Sequence, residues 1–322
     1  MDYQDADLAK LLTRTTITKS FSKIIPAIED QFPSIGKILK YSPINEGYED
    51  ANIFLTTTKT TYVLKIFLAE RTQDNIDDYV KVLEASRLVG VPTTQLVSRS
   101  GGFIGTADNS RFIITKYFDG QNFQNTTPTL QDMIVGVKYL AKLNSLSFPI
   151  HESYDSWGNK NLVREHALLK HKLTSEQLNI LEPVIKEFPT LNFTRFTKSV
   201  IHGDMQRKHL LKNQAGEYCI LDFGCMAYDP KVIDLSTYLA WFCLAEDTWE
   251  QREEIFKTIM KAYGDHHLLS EEEIASIKPL VRASYAAYFQ KTSELIYDGD
   301  QSAETVDWNV KSRTLLKLSA NW

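Results

Sequence analysis

The residues best suited to chemistry lie in one segment, Val200–Gly224. His202-Gly203-Asp204 follows a short apolar run, and Leu221-Asp222-Phe223-Gly224 closes a second one 18 residues after Asp204. Phosphoryl transfer needs two such carboxylates. One orients the attacking hydroxyl and takes its proton; the other holds a metal that bridges the phosphates. Asp204 suits the first role and Asp222 the second. Either motif alone would read as an ordinary turn aspartate. Both together, in this order, with a hairpin between them, argue against that.

A third residue fits the same chemistry. Lys65 sits inside the apolar run Tyr62-Val63-Leu64-Lys65-Ile66-Phe67. A buried ammonium needs a partner, and a triphosphate would supply one. The competing reading is a lysine that points to water by strand alternation. Upstream, the turn Asn45–Asp50 could fold over phosphates with Gly47 at its tip. That loop has a single glycine and three acids, so it makes a poor phosphate cradle by itself. Lys65 also calls for an acidic partner on the helix that follows. Asp77, Asp78 and Glu84 are the candidates, with Asp78 preferred.

These residues require elements to hold them. Residues 5–40 read mainly as helix from their apolar spacing. Ile38–Ile44, Ala51–Thr57 and Thr61–Phe67 read as strands, with Lys59–Thr61 as a turn. Asn75–Val89 reads as an amphipathic helix that stops at Gly90 and Pro92. Strands near Gln95–Ser98 and Arg111–Tyr117 follow. After Phe118-Asp119-Gly120 the pattern turns helical, starting with Leu130–Leu146. Asp155–Lys160 reads as a polar loop. Val200–Ile201, His209–Lys212 and Glu217–Phe223 read as short strands, and the rest as helix. A strand-rich block is thus followed by a helical one, an α+β arrangement with a ligand cleft between two lobes. The expected division is 1–118 as a nucleotide-binding lobe with a helical extension, and 119–322 as the catalytic and acceptor-binding lobe.

Composition narrows the options. The chain has 322 residues, 43% hydrophobic and 24% charged, enough for a large core. Its 41 acidic and 36 basic residues leave a net charge of -5, with no clear nucleic-acid signal. No stretch is long and apolar enough for a membrane span, and no secretion signal opens the chain. Cys219, Cys225 and Cys243 have no metal or redox spacing. A cytoplasmic location is the expectation.

Taken together, the motifs resemble the aminoglycoside phosphotransferase and choline kinase superfamily, and within it homoserine-kinase-type sequences. The likeness runs through Gly47…Asn52–Thr57, Tyr62–Lys65, Gly90-Val91-Pro92, Ile114–Gly120, His202-Gly203-Asp204, Leu221–Gly224 and Asp229-Pro230…Asp234-Leu235. It implies a two-lobed, protein-kinase-like fold and transfer of the γ-phosphoryl of ATP to a hydroxyl of a small molecule. Amino alcohols, amino acids, sugars and aminoglycoside-like compounds are candidate acceptors. GTP is not excluded as donor, and Mg²⁺ or Mn²⁺ would assist. Lys65 would contact the α- and β-phosphates, main-chain groups at Lys116–Phe118 would hold adenine, and Asp234 and His202 would brace the catalytic loop.

One position departs from the family pattern. The asparagine expected five residues after the catalytic aspartate is His209. Its imidazole could ligate metal, could brace the loop, or could mark a lost second metal site. The basic run Gln206-Arg207-Lys208 either adds charge near the transferred group or is a solvated loop. The acceptor would bind in the helical lobe, where Asp229, Tyr238, Trp241, Phe242, Tyr285, Tyr288 and Phe289 are candidate lining residues. Two rival functions remain: a nucleotide-binding pseudokinase acting through protein contacts, and a kinase of RNA or protein. The short path from Gly224 to Asp234 leaves little room for a peptide-docking segment.

Overall fold

The computed structural model describes residues 3–44, 50–151 and 153–322. The fold is α+β, an antiparallel sheet early in the chain and a mainly helical remainder, as the sequence suggests. Two compact units are distinguished: residues 1–87, 92–120 and 213–224, and residues 88–91, 121–212 and 225–322.

The first unit opens with α1 (Tyr3–Leu12) and α2 (Phe21–Gln31). Strands β1 (Ile38–Ile44), β2 (Ala51–Thr57) and β3 (Thr61–Ile66) follow, then α3 (Gln73–Leu88), β4 (Gly105–Ala107) and β5 (Ser110–Lys116). The strands form one sheet in the order β1-β2-β3-β5-β4. Alternation decides its faces. Ala51, Ile53 and Leu55 of β2, with Tyr62, Leu64 and Ile66 of β3, are buried in one core with Leu8, Ile24 and Ile28 of the two helices. Each of the isoleucine and leucine side chains contributes about 1.5–3 kcal/mol when fully buried. The intervening residues Val63 and Lys65 therefore face the other side of a central strand. Helix α3 starts where Thr72 and Asn75 exchange side-chain and main-chain hydrogen bonds, a reciprocal cap.

The segment 213–224 belongs with this first unit, although a boundary after Phe118 would assign it to the second. Its strand β9 (Tyr218–Ile220) is tied in by the Ile220 N–H, which donates to Pro92 O at 2.7 Å, beside a parallel Thr93–Ile220 bridge. The expected strand to Phe223 stops at Ile220, and Asp222 beyond it takes a left-handed φ of 58°. Gln95–Ser98 is not a continuous strand. It meets β5 through the Val97 N–H to Ile114 O and the Lys116 N–H to Gln95 O, both 2.8 Å.

In the second unit β6 (Gln121–Asn122) pairs with β8 (Leu210–Lys212), and β7 (Lys198–Ile201) pairs with β10 (Ala227–Pro230). Both β6 and β10 are too short to stand out from sequence. The helices are α4 (Leu130–Leu143), α5 (Leu162–Leu169), α6 (Ser175–Glu187), α7 (Lys231–Tyr238), α8 (Arg252–Gly264), α9 (Glu271–Tyr297) and α10 (Ala303–Leu318). The long α9 starts from a Ser270–Glu273 capping box and packs against α5, α6, α7 and α10. A π-helical turn, Leu239–Cys243, continues α7.

Candidate active site

Lys65 is the centre of a charged network in the first unit. Its Nζ lies 3.3 Å from Asp50 and 3.6 Å from Asp222. The register pairs Asn52 with Lys65, so Asp50, just before β2, reaches the lysine from the neighbouring strand. The fully buried Asp50 carboxylate also accepts the Leu68 N–H and Arg71 Nε, each at 3.0 Å. Arg71 then donates from both terminal nitrogens to the main-chain oxygen of Gly224 at 3.3 Å. One guanidinium thus links the carboxylate beside Lys65 to the loop that carries Asp222.

The helix partner differs from the expected one. Helix α3 offers Lys65 the ring of Tyr79, whose centroid is 5.6 Å from Nζ. Asp78, preferred from sequence, stands 4.0 Å from Lys81 one turn on. Burial would pull the Lys65 ammonium down, but the carboxylates of Asp50 and Asp222 beside it hold the lysine above its ordinary range. Burial likewise pushes the Tyr79 phenol up to about 12, against the pull of Lys65. At neutral pH the ammonium therefore faces an uncharged ring and two carboxylates.

Asp222 keeps 39% of its side chain exposed. Its Oδ1 accepts the Gly224 N–H at 3.4 Å. A left-handed φ on a residue other than glycine costs on the order of 1 kcal/mol, and such strain gathers at functional sites. At the end of β5, the N–H groups of Lys116 and Tyr117 donate to Gln95 O and Thr61 O. The Lys116 side chain is exposed and Phe118 is half-buried. Gly47 lies outside the described residues.

In the second unit Asp204 sits on a loop braced from below. Asp234, fully buried in α7, accepts the N–H groups of His202 and Gly203 at 3.0 Å and the Asn144 amide at 2.9 Å. Gly203 has φ 83°, and a Cβ there would come within 2.3 Å of Cys225 O, so glycine is required. His202 Nδ1 accepts the Asp204 N–H at 3.2 Å. His209 Nδ1 is 2.6 Å from Asp204 O, where it donates, and the His209 N–H donates to Gln206 O. A metal would have to be taken by the other ring nitrogen of His209.

Neutral groups hold the Asp204 carboxylate. Gln206 Nε2 donates to its Oδ1 at 2.7 Å and the Tyr288 hydroxyl at 3.2 Å. The Tyr288 ring packs against Trp157, Trp241 and Trp308, with centroids 5.1, 4.5 and 5.3 Å away. Trp241 comes from the π-helical turn and Trp308 from α10. Asp155, two residues before Trp157, accepts the Trp157 N–H at 2.8 Å. Burial pushes the Asp155 carboxyl up to about 6, and the charge of Asp204 adds to the rise.

The other acceptor candidates divide. Tyr238, Phe242, Tyr285 and Phe289 are core residues, the ordinary fate of an aromatic stripe on a helix. Asp229 pairs with Lys160 at 2.6 Å. Arg207 forks onto Asp247 at 2.9 and 2.8 Å and donates to Phe242 O, so it is neither a solvated basic residue nor an unpaired one. Sequence reasoning missed Asp50, Arg71 and Asp155. Arg71 did carry a signal: a cation just before a helix N-terminus is unfavourable unless it is paired elsewhere. So did Asp155, beside a tryptophan in an otherwise polar loop.

With that geometry in place, comparison with known proteins is informative. A family model described as the phosphotransferase enzyme family, APH, matches residues 40–274. The chain belongs to that family; it is a phosphotransferase, a kinase of the small-molecule class. The homoserine kinase of Zymomonas mobilis is 24% identical over 266 residues, 79% of this chain and 81% of its own length. That of Methylobacillus flagellatus is 21% identical over 276 residues, 83% and 86%. Among solved structures, spectinomycin phosphotransferase APH(9)-Ia with ADP and spectinomycin aligns at TM-score 0.70 with 11% identity, covering 93% of this chain and 97% of that one. Choline kinase LicA of Streptococcus pneumoniae aligns at 0.61 with 14% identity, covering 94% and 100%. The fold is therefore the protein-kinase-like one these enzymes share. Among the described residues no helix is long and apolar enough to cross a membrane.

Proposed function

We propose that this phosphotransferase moves the γ-phosphoryl group of ATP to a hydroxyl of a small molecule that also carries a basic nitrogen. The observation that carries the reading is the setting of Asp204. Its carboxylate shares Oδ1 with the hydroxyl of Tyr288, a ring walled by three tryptophans, and Asp155 lies within electrostatic range. Aromatic faces and carboxylates together favour a cation. The similar proteins named for homoserine and choline are named for compounds with a hydroxyl and a nitrogen.

In this reading Lys65 holds the α- and β-phosphates, and the adenine edge meets the main chain at Lys116–Phe118. Asp222 is a hard oxygen ligand, still partly exposed, and suits Mg²⁺ or Mn²⁺. Among the described residues no three His, Cys, Asp or Glu side chains gather as a metal site. Asp222 would hold a divalent ion, which would supply positive charge toward the transferred group. Asp204 orients the hydroxyl and takes its proton. His209, with Nδ1 on the main chain of Asp204, acts as a brace.

The test is an acceptor screen with ATP and with GTP, reading nucleoside diphosphate release. Amino alcohols, hydroxy amino acids, aminoglycosides and neutral sugars form the panel. An amino-bearing alcohol should drive release that falls by about a thousandfold in Asp204→Asn. Release driven by neutral sugars alone would overturn the acceptor class. Nucleotide binding without release under any condition would favour the pseudokinase.

A further inference from the structure

We infer that Gln206 and Tyr288 are positioning residues that occupy Oδ1 of Asp204 and thereby leave Oδ2 as the oxygen that receives the acceptor's proton. This rests on the reading of Asp204 as the base. A carboxylate has two oxygens with about two acceptor sites each. Both side-chain donors go to the same one: Gln206 Nε2 at 2.7 Å and the Tyr288 hydroxyl at 3.2 Å. The donors also bond each other at 3.1 Å, which closes a triangle. Gln206 is 1% exposed, so its amide is shielded from bulk solvent. The turn beneath it is closed by the His209 N–H on Gln206 O at 2.9 Å.

Other groups facing Asp204 leave this assignment intact. His202 Nδ1 takes the main-chain N–H of Asp204. His209 Nδ1 is 3.5 Å from Oδ2 but only 2.6 Å from the main-chain oxygen, where its hydrogen goes. Burial first, then the charges of Asp204 and Asp155, keep the Tyr288 phenol a neutral donor. The proton of the acceptor hydroxyl passes to Oδ2 as the hydroxyl oxygen bonds to the γ-phosphorus. The bond from γ-phosphorus to the bridging oxygen breaks, and the nucleoside diphosphate leaves with the electron pair. With Oδ1 fixed, the carboxylate cannot rotate, and the base oxygen is held at one place.

The kinetic test uses Tyr288→Phe, which keeps the ring in its tryptophan setting, and Gln206→Leu. Gln206→Leu should lower kcat about a hundredfold and Tyr288→Phe about tenfold, with the KM for nucleotide unchanged and thermal midpoints close to the parent. The double variant should lose little more than Gln206→Leu, because both donors serve one oxygen. A structural role would instead lower the midpoint and the active fraction without that kcat-against-KM split. A second measurement needs no turnover: glutamine-labelled protein, with the Gln206 amide assigned through Gln206→Leu, observed by NMR. The amide signal should move in Asp204→Ala and in Tyr288→Phe. If it stays in place in both, the inference falls whatever the enzyme does. If the signal moves but both variants keep wild-type kcat, the triangle exists without positioning the base, and the inference falls. If the parent turns over no acceptor, the proposed function fails and the amide signal alone decides the positioning.

Discussion

Lys65 and Asp204 are held by opposite kinds of chemistry. Around Lys65 the partners are full charges, Asp50 and Asp222, with Arg71 behind them. Around Asp204 they are neutral donors, an amide and a phenol. On the proposed roles, the difference follows from what each group would do. A cation that meets phosphates has to stay ionised in a sheltered place, and nearby carboxylates ensure that. A base has to stay basic. A permanent cation against its carboxylate would lower its proton affinity, whereas neutral donors orient it at a smaller cost in basicity.

Two substitutions would break the charged side outright. Asp222→Asn should reduce turnover at least about a thousandfold, because on the proposed reading it removes an anionic ligand of the metal where transfer charge develops. Lys65→Ala should follow at about a hundredfold, and Lys65→Arg should rescue it poorly, since a planar fork does not replace a compact ammonium. Steady-state kinetics with circular dichroism as a folding control checks both. Near-normal rates in a folded Asp222→Asn protein would move the metal elsewhere.

The next effect is on stability. Asp50 is fully buried between Lys65 and Arg71. Asp50→Ala strands two cations, and removing one partner of a buried pair costs about 3–5 kcal/mol. Denaturant unfolding should register that loss. Arg71→Lys should be milder in stability yet raise the metal concentration needed for activity about tenfold, because the fork to Asp50 and Gly224 O is lost. An unchanged metal requirement would separate Arg71 from the Asp222 loop.

How legible was this in the sequence? The sheet strands and α3 were readable because alternation and helical spacing are local patterns, and β1 and β2 appear with the expected bounds. The motif residues were readable because Asp204 and Asp222 each follow an apolar run and Lys65 interrupts one. Contacts set by register were not. Asp50 meets Lys65 only because β2 and β3 pair as they do, and no spacing rule along one strand reveals that. The preference for Asp78 assumed that the helix supplies the partner. The strand β9 ended early because Asp222 adopts a left-handed backbone, which composition does not announce. The acceptor wall shows the same limit. Of the named aromatics, Tyr288 reaches Asp204 through its hydroxyl and Trp241 packs on the Tyr288 ring, and only packing separates Tyr288 from Tyr238 and Tyr285, which are core.

On the neutral side, His209 offers a smaller effect. With Nδ1 donating to Asp204 O, the ring braces the loop. His209→Asn should lose about 1 kcal/mol of stability, with the Mn²⁺/Mg²⁺ activity ratio unchanged. A ratio that shifts toward Mg²⁺ would assign the imidazole to the metal instead.

The smallest expected effect concerns Asp155 and is read against pH. Its folded pKa is raised to about 6, by burial first and then by the charge of Asp204, while the Trp157 N–H and Lys160 pull the other way. The unfolded value lies near the ordinary ~3.9. Between those two values the folded protein binds the extra proton, so this carboxyl favours folding at low pH. That contribution is complete below the unfolded pKa and disappears as pH rises through about 6. At pH 7 the ionised carboxylate is a net cost, on the order of 1 kcal/mol once partial solvation is allowed for. Asp155→Asn should therefore be slightly more stable than the parent at pH 7 and equal to it near pH 4, as thermal unfolding at the two pH values would reveal. The same substitution separates stability from binding. If ionised Asp155 helps seat a cationic acceptor, the parent's acceptor KM should climb as pH falls below about 6, and Asp155→Asn should show a high KM with no such climb. A variant with unchanged acceptor KM across that range would leave Asp155 as a buried acid with no part in binding, and the aromatic wall would have to hold the cation without it.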